Sequence, residues 1–454
     1  MRRDASDRHA VRTHIERVRE TLGDPRLADV MQRAAAQVPG DGTPRDKITA
    51  LLSPDITETA SSGGKAPGVP YLSRAPLVSL VQSHLDEALG SAGVPESHEE
   101  HPGLLKRIIR AVEHDLHIEP GTFTPDDPDW YVYIAMGSLE RLADGNSSFN
   151  EMPAEYDDLA DDARLLVVGD WGTALPRARD VATLMRVKAA EALADGRQVH
   201  VVHLGDIYYS GLETEDRRRF LGPWPVTPDQ AEAGVTSWSL NGNHDMYSGG
   251  FGYFGTVLGD PRFRLQRSSD GRPSSFFRLR SPSWDFIGLD TAWDPEVTYP
   301  GRIAVLQDPQ GAYVAETAAA SSRRLVLFSH HQLVSYYAPN EISTILPAKL
   351  APVLTANRVT AWWWGHEHRA ITYQAAGGVR YPRCLGHGGV PVLVDPEPPP
   401  GSTPAFTWHN TRTVREVGQR RARHGFAVLD LRPDRIEVTY VDDDGQVAHT
   451  ETIT

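Results

Sequence analysis

The sequence predicts an α/β fold that follows a mostly helical N-terminal region, and two observations support this division. After about residue 160, short apolar runs bounded by Gly, Asp and Asn recur along the chain, as is typical of buried strands. Before about residue 140, apolar residues instead recur at helical spacing, most clearly over residues 104–116. We therefore predict a helical N-terminal domain over residues 1–150 and an α/β domain over residues 160–454.

The predicted α/β domain contains six short apolar runs that we interpret as strands. In chain order they are Leu165 to Val168, Val199 to Leu204, Ser237 to Leu240, Phe286 to Leu289, Leu325 to Phe328 and Val359 to Trp364. A helix is predicted between the first two, because Val181, Leu184 and Met185 have helical spacing and Gly196 follows as a stop signal. This order indicates a βαβ unit.

The two ends of this domain and one internal segment have patterns of their own. Phe426 to Leu431 and Ile436 to Val441 predict a closing hairpin. The stretch 145–163 has six acidic residues and no Lys or Arg, so we interpret it as a solvated junction between the two domains. The Pro-rich segment Asp395 to Pro404 is predicted to be a surface excursion.

Composition limits the possible partners of the chain. Among 454 residues, 46 Lys and Arg stand against 60 Asp and Glu, and the formal net charge of -14 argues against a nucleic-acid partner. No apolar run approaches the roughly 18 residues that a membrane span needs, so we expect no membrane partner. Cys384 is the single cysteine, and polar residues follow Met1 where a signal peptide would be apolar. Both features favour a cytoplasmic protein.

A polar cluster follows directly after five of the predicted strands. The five clusters are Gly169-Asp170-Trp171-Gly172, Gly205-Asp206-Ile207-Tyr208-Tyr209, Gly242-Asn243-His244-Asp245, Ser329-His330-His331 and Gly365-His366-Glu367-His368. Because loops at the carboxyl ends of neighbouring strands in an α/β sheet converge on one crevice, we expect one site. Asp290 and His387 match no cluster, and we interpret them as a turn acid and a surface or pocket-wall group.

The clusters supply oxygen and imidazole donors without a thiolate, a set that suits Fe, Mn, Zn or Co better than Ca or Mg. They hold more donors than the three or so protein ligands of a single catalytic metal. In two-metal sites the ions lie roughly 3.5–4 Å apart and clamp the attacking and leaving oxygens of an in-line displacement at phosphorus. The residues therefore predict two metal ions, and Asp206 is our candidate for the bridging carboxylate.

This series of clusters resembles the calcineurin-like metallophosphoesterase superfamily, and its variants are most similar to the purple acid phosphatase type. Most of the superfamily begins with Asp-x-His, whereas this chain has Asp170-Trp171-Gly172 and lacks that histidine. Purple acid phosphatases share this loss and supply a tyrosine in Gly-Asp-x-x-Tyr, where Tyr209 stands here. The resemblance implies a metallophosphoesterase β-sandwich flanked by helices, with four layers in the order α/β/β/α.

The resemblance also implies a ligand set and a metal content. A first metal would be held by Asp170, Asp206, Tyr209 and His368, and a second by Asp206, Asn243, His330 and His366. The pair would be Fe with Fe, Mn or Zn. We expect His331 either to bind the substrate or to lie behind the ligands, and we expect Tyr208 to pack in the core. His330-His331-Gln332 is closer to the cyclic-nucleotide phosphodiesterase branch than to the tyrosine-containing type.

The function expected from these residues is a dinuclear-metal hydrolase of small-molecule phosphate esters, either monoesters or diesters. A metal-bound hydroxide would attack phosphorus in line while the metals stabilise the phosphoryl oxygens. His244 would protonate the leaving oxygen or bind a phosphoryl oxygen, with Asp245 fixing its tautomer. A cyclic-nucleotide or other phosphodiesterase, a nuclease and a non-catalytic scaffold stay as alternatives. For the N-terminal domain, gating, protein contact and oligomerisation are all left open.

Overall fold

The computed structural model describes Ser83 and residues 146–294, 304–394, 401–416 and 419–454. The predicted helical domain lies outside the described residues, apart from Ser83 and residues 146–150. Most of the Pro-rich segment, residues 395–400, lies outside them as well. The chain divides into two compact units. One of them is formed by Asn146–Met246, Gly250–Glu416 and Arg420–Thr454, and it contains all of the elements described below except for the single residue Gln419.

The described part of the chain contains sixteen strands and seven α-helices. The strands are β1 (Ala154–Tyr156), β2 (Arg164–Val168), β3 (Val199–His203), β4 (Thr236–Ser239), β5 (Phe277–Arg280), β6 (Trp284–Leu289), β7 (Arg324–Ser329), β8 (Val359–Trp364), β9 (Ala370–Tyr373), β10 (Val379–Leu385), β11 (Phe406–His409), β12 (Thr413–Glu416), β13 (Gln419–Ala422), β14 (Gly425–Leu431), β15 (Ile436–Asp442) and β16 (Val447–Ile453). The helices are α1 (Pro176–Ala194), α2 (Glu213–Glu215), α3 (Pro228–Glu232), α4 (Asn243–Met246), α5 (Asp308–Ala320), α6 (Ile345–Lys349) and α7 (Ala351–Leu354).

The strands form two large sheets and one small hairpin. One sheet has six strands in the order β16-β15-β14-β2-β3-β4, and the other has eight in the order β1-β5-β6-β7-β8-β10-β9-β11. Strands β2, β3 and β4 are mutually parallel, as are β6, β7 and β8. All six predicted strands occur within two residues of their expected bounds, and the predicted hairpin is formed by β14 and β15.

The two large sheets pack face to face and are covered on their outer faces by helices. Between the sheets lies a core to which Val167 and Trp238 contribute from one sheet and Trp363 from the other. Helix α1 covers the six-stranded sheet through a second core, and α5 covers the eight-stranded sheet through a third. The predicted four-layer α/β/β/α sandwich is thus confirmed.

Strand β8 shows how the sequence produces these layers. Its three consecutive tryptophans are fully buried, although side chains alternate between the faces of a strand. Trp363 packs between the two sheets, whereas Trp362 and Trp364 pack on the helical side. A strand with helices on one face and a second sheet on the other is expected to be apolar throughout, which explains the continuous run.

The described part of the acidic stretch, residues 146–163, is solvated at its acidic residues as predicted, but its apolar residues belong to the sandwich. Its segment β1 pairs in parallel with β5, and Leu159 and Ala163 are buried between the sheets. The Asp161 carboxylate accepts hydrogen bonds from the hydroxyl groups of Ser281 and Ser283. The stretch therefore packs on the sandwich through its few apolar residues and Asp161, while its other five acidic residues are exposed. Within the described residues, no helix combines the length and apolarity that crossing a bilayer requires.

Candidate metal centre

The five polar clusters meet at one end of the sandwich. Each cluster begins within four residues of the end of a strand. Asp170 and Asp206 follow β2 and β3, Asn243 begins α4 after β4, His330 follows β7, and His366 follows β8. The loops of the two sheets are in contact there, since His330 Nδ1 lies 3.0 Å from the carbonyl oxygen of Leu204. The parallel strands of each sheet bring these side chains to the same edge, as the sequence predicted.

A first donor group consists of Asp170, Asp206, Tyr208 and His368. The Tyr208 hydroxyl lies 3.0 Å from Asp206 Oδ2, 3.3 Å from Asp170 Oδ1 and 3.1 Å from His368 Nε2. His368 Nε2 is itself 3.4 Å from Asp170 Oδ1. These four side chains therefore present two carboxylates, one phenol and one imidazole to a common point.

A second donor group consists of Asp206, Asn243, His330 and His366. His330 Nε2 lies 2.9 Å from Asn243 Oδ1, 3.2 Å from His366 Nδ1 and 3.4 Å from Asp206 Oδ1. Asp206 belongs to both donor groups, with Oδ2 facing the first and Oδ1 facing the second. One buried carboxylate thus joins two clusters of oxygen and nitrogen donors, which is the arrangement that a bridging ligand requires.

The backbone at these positions is strained. Seven described non-glycine residues have positive φ, and four of them belong to the donor groups: Asp170 at 53°, Asp206 at 74°, His366 at 67° and His368 at 53°. An L-residue in the left-handed region costs about 1–2 kcal/mol, and such strain tends to concentrate at functional sites. Its concentration here indicates that ligand geometry, rather than local stability, determines the sequence of these turns.

Close packing around the donor carboxylates explains two glycines, Gly242 in the third cluster and Gly386 after β10. A Cβ on Gly242 would overlap Asp206 Oδ1, and a Cβ on Gly386 would lie 2.7 Å from Asp170 Oδ2. Neither glycine has a positive φ, so the requirement is space around the carboxylates and not backbone freedom.

The electrostatics of the site favour a charged carboxylate at its centre. Asp206 is 1% exposed, and burial alone would raise its pKa. His330, His244 and His366 outweigh that effect and hold the pKa of Asp206 below its usual value. His331 is buried, and burial together with His366 and His330 lowers its pKa well below the usual value, so this imidazole is neutral and able to act as a ligand.

The donor set fits two transition-metal ions. Two groups of buried side chains, His330 with His331 and His366, and Asp170 with Asp206 and His368, each bring one donor atom per residue within 4.8 Å of one another. Buried carboxylates next to imidazoles, with no thiolate in either donor group, suit Fe, Mn or Zn. His331 lies beside the second donor group, where Thr291 Oγ1 is 3.0 Å from its Nδ1.

Tyr209 is not where the resemblance implied. The structure places the Tyr208 hydroxyl among the donors, while the Tyr209 ring lies under the Arg219 guanidinium, 4.6 Å from its Cζ. The motif Gly-Asp-x-x-Tyr specifies a position in the sequence, but it does not determine which of two adjacent tyrosine side chains points towards the site. The prediction that Tyr208 only packs is therefore wrong, and the Tyr-Tyr pair was the signal that both rings had to be considered.

Asp245 does not orient His244, contrary to the prediction. Asp245 Oδ2 accepts hydrogen bonds from the backbone N–H groups of Gly242 at 2.6 Å and Asp206 at 3.0 Å. It therefore holds the two turns together. His244 Nδ1 instead donates to the Tyr209 carbonyl oxygen at 2.5 Å, because a carbonyl can only accept. This leaves Nε2 facing the site, 4.0 Å from Asp206 Oδ2, and burial lowers the pKa of His244 to about 4.

Glu341 is a further residue of the site that the sequence analysis did not identify. Its Oε2 atom lies 3.4 Å from His366 Nε2, on the ring nitrogen opposite the one in the second donor group. A carboxylate in this position fixes the tautomer and orientation of a ligating imidazole. Glu341 lies in the turn Pro339–Glu341, ten residues after His331 and outside all five clusters, so no motif pointed to it.

Comparison with known proteins gives a family for this architecture. Residues 163–370 match the family model for the calcineurin-like phosphoesterases. Tartrate-resistant acid phosphatase type 5 from Oryctolagus cuniculus is 26% identical over 311 residues, covering 62% of this chain and 88% of that protein. The same protein from Homo sapiens is 24% identical over 333 residues, covering 65% and 92%.

Comparison with solved structures gives matches of low identity and low TM-score, two of which come from Plasmodium and Danio rerio. One is GAP50, the anchor in the inner membrane complex of Plasmodium, with a TM-score of 0.45, 14% identity and coverage of 64% of this chain and 88% of that chain. The other is a dimetal phosphatase from Danio rerio, with a TM-score of 0.41, 16% identity and coverage of 64% and 99%.

The family assignment rests on the sequence comparisons, which cover the strands that carry all of the donor residues. The family model and the acid phosphatase relatives together support a phosphoric ester hydrolase. Residues 163–370 of this chain are thus a calcineurin-like phosphoesterase domain, with weak homology to the purple acid phosphatases.

Proposed function

We propose that this protein hydrolyses small-molecule phosphate esters at a dinuclear metal centre. The observation that carries the proposal is the position of Asp206, whose two carboxylate oxygens face two separate donor groups. A site for one ion would need only one such group. The acid phosphatase relatives support phosphate esters as the substrate class.

In this proposal Asp170, Asp206, Tyr208 and His368 hold one ion, and Asp206, Asn243, His330 and His366 hold the other. Two bound ions would supply Lewis-acid charge for the phosphoryl oxygens and lower the pKa of water. The protein holds these ligands rigidly, through strained turns and through Glu341 on His366. Such rigidity keeps the charges in place while the reaction proceeds.

Two histidines are proposed to act on the substrate itself. His331 contacts a phosphoryl oxygen beside the second donor group. His244 is held by the Tyr209 carbonyl through Nδ1, so that its Nε2 faces the site. Nε2 can donate only when the ring is an imidazolium, and the lowered pKa of His244 confines that form to acidic pH or to a site that holds the negative charge of the substrate. In that form His244 protonates the leaving oxygen or binds a phosphoryl oxygen.

Metal analysis combined with a panel of phosphate monoesters, diesters and cyclic nucleotides tests this function. We expect two metal ions per chain and metal-dependent hydrolysis of at least one monoester. A phosphodiesterase is the second candidate, because His331 lies beside the second donor group as part of the His330-His331-Gln332 sequence. Hydrolysis of diesters alone would favour that alternative, and a metal-loaded protein inactive on the whole panel would contradict the proposal.

The two adjacent tyrosines provide a matched test of the first donor group. A phenolate bound to ferric iron absorbs visible light, so iron-loaded protein should be coloured. Tyr208→Phe is expected to remove this absorption, whereas Tyr209→Phe should keep it, because Tyr209 packs under Arg219. Absorption spectra of both variants at equal iron content provide the measurement. Loss of colour in Tyr209→Phe but not in Tyr208→Phe would show that Tyr209 is the ligand.

A further inference from the structure

The peptide group between Tyr209 and Ser210 is held on both of its sides. Its oxygen is the Tyr209 carbonyl, which accepts the hydrogen bond from His244 Nδ1 at 2.5 Å. Its nitrogen is that of Ser210, whose N–H donates to Glu215 Oε2 at 3.1 Å. This peptide bond is trans, so its carbonyl and its N–H point in opposite directions. Glu215 and His244 therefore bind opposite sides of one peptide group.

Glu215 binds more of this loop than helix capping requires. Its Oε2 atom accepts the N–H of Leu212 at 3.1 Å, which is the usual contact between a Glu in the first turn of a helix, here α2, and the N-cap residue. The N–H groups of Tyr209, at 2.6 Å from Oε1, and of Ser210 lie before α2, in the loop of the site. The carboxylate thus fixes two successive peptide groups that follow Tyr208.

The surroundings of Glu215 keep its carboxylate in place. Glu215 is fully buried, and Arg219, which is 5% exposed, lies close enough to attract its charge. Burial raises the pKa of Glu215, whereas Arg219 and the three N–H groups act in the opposite direction. The Arg219 guanidinium is itself fixed, since its Nη1 donates to the Thr173 carbonyl at 3.0 Å. Hydrogen bonds in such a buried position are electrostatically stronger than in water.

We propose that Glu215 is a positioning residue for His244 and that it acts through the peptide group between Tyr209 and Ser210. Hydrogen bonds in a chain polarise one another, so the carboxylate makes the Tyr209 carbonyl a better acceptor for the Nδ1–H of His244. The carbonyl fixes this tautomer and directs Nε2 towards the site. Glu215 thereby takes the role that the sequence predicted for Asp245. The inference rests on the proposed function, in which His244 acts on the substrate.

A double-mutant cycle with Glu215→Gln and His244→Ala tests this assignment. A Gln side chain has one acceptor oxygen, and its amide N–H₂ cannot accept from the backbone N–H groups. Removing a group that orients a functional histidine typically costs about 10–100-fold, and we expect Glu215→Gln to lower kcat on alkyl phosphates by that factor. In the His244→Ala protein the same substitution should change kcat by no more than about twofold, because its effect passes through His244.

Two kinetic results would overturn the inference. One is an equal loss of kcat in both backgrounds, and the other is no loss in the wild-type background. The control is Asp161→Asn, which makes the same change from carboxylate to amide in a side chain that binds the loop of Ser281 and Ser283. That loop precedes β6, at the opposite strand ends from the polar clusters, so kcat should not change in either background.

Metal content and colour separate positioning of His244 from general damage to the loop. The Tyr208 hydroxyl lies among the donors Asp170, Asp206 and His368, so iron-loaded Glu215→Gln should keep two metals and its visible absorption. Loss of either would show that Glu215 supports the whole loop and would contradict the specific role.

A second variant covers the case in which Glu215→Gln does not fold. Removing one partner of a buried pair leaves the other charge less compensated and is strongly destabilising. Glu215→Gln combined with Arg219→Met removes both charges. It should show the same loss of kcat in the wild-type background and the same absence of effect in the His244→Ala background.

The Nδ1 proton of His244 separates this inference from the proposed function. In Zn²⁺-loaded protein with ¹⁵N-labelled histidine, its NMR signal is identified by its absence from His244→Ala. We expect Glu215→Gln to move this signal upfield and to speed its exchange with water, because the carbonyl becomes a weaker acceptor. If no ester is hydrolysed but the signal responds in this way, the positioning role holds and the hydrolase proposal fails. An unchanged signal would contradict the positioning role whatever the activity.

Discussion

Asp206→Asn is expected to remove both metal ions and to lower turnover by at least about 10²–10³-fold, the usual effect of losing one preorganised electrostatic group. Asp206 faces both donor groups, so neutralising it weakens two sites at once. It also accepts the backbone N–H of His244 at 3.0 Å, a hydrogen bond that the amide oxygen of Asn can keep, so the substitution tests mainly the negative charge. Metal content per chain and kcat on the best ester of the panel give the measurement.

Asp290→Asn is the matched control for this experiment. Asp290 is also a buried carboxylate after a strand, and its Oδ1 atom accepts the backbone N–H groups of Ala292 and Trp293. Burial raises the pKa of Asp290 to about 6, and its carboxylate lies in neither donor group. Asp290→Asn should keep two metals. An Asp206→Asn protein that also retains two metals per chain would show that Asp206 does not bridge them.

His244→Ala is expected to keep both metals and to slow turnover by about 10²–10⁴-fold, the contribution of a positioned proton donor. His244 is 4.0 Å from Asp206 and belongs to neither donor group, so its removal should spare the ligands. The effect should increase as the leaving group becomes more basic, because a poor leaving group depends more on protonation. Rates for a series of aryl and alkyl phosphates provide this comparison.

His200→Ala controls for the loss of a buried histidine. His200 is 1% exposed and its Nδ1 atom lies 2.7 Å from Thr236 Oγ1, on β3 and away from the polar clusters. In the His200→Ala variant, the hydrolysis rate should depend on the basicity of the leaving group as it does in the wild-type protein. If His244→Ala hydrolyses alkyl phosphates at the wild-type rate, His244 neither donates the proton nor binds the phosphoryl group.

The strands that are buried on both faces could be predicted from the sequence. Each central strand is covered on both faces, so Val359 to Trp364 and the other apolar runs stand out from the polar turns around them. The convergence of the five clusters follows from the same fact, since parallel strands end at a common edge. Edge strands give a weaker signal. Strand β1 is three residues long within an acidic stretch, and β16 has a mostly polar sequence with Ile453 as its only fully buried residue.

Side-chain direction and competition for hydrogen bonds could not be obtained from the sequence. Tyr208 and Tyr209 are chemically equivalent, and only the path of the loop decides which hydroxyl meets Asp206. Asp245 was expected to bind its neighbour His244, but backbone N–H groups from two turns occupy its carboxylate. Glu341 meets His366 through a turn whose position depends on the whole eight-stranded sheet.

The left-handed turns at Asp170, Asp206, His366 and His368 have a consequence for how this protein can change. Glycine would relax the backbone at each of these four positions, yet each glycine would delete a donor atom. Selection for thermostability would therefore favour glycine at these positions, whereas selection for metal binding favours Asp and His. A more stable variant of this protein must therefore gain its stability at other positions, such as those in the hydrophobic cores between the sheets and under the helices.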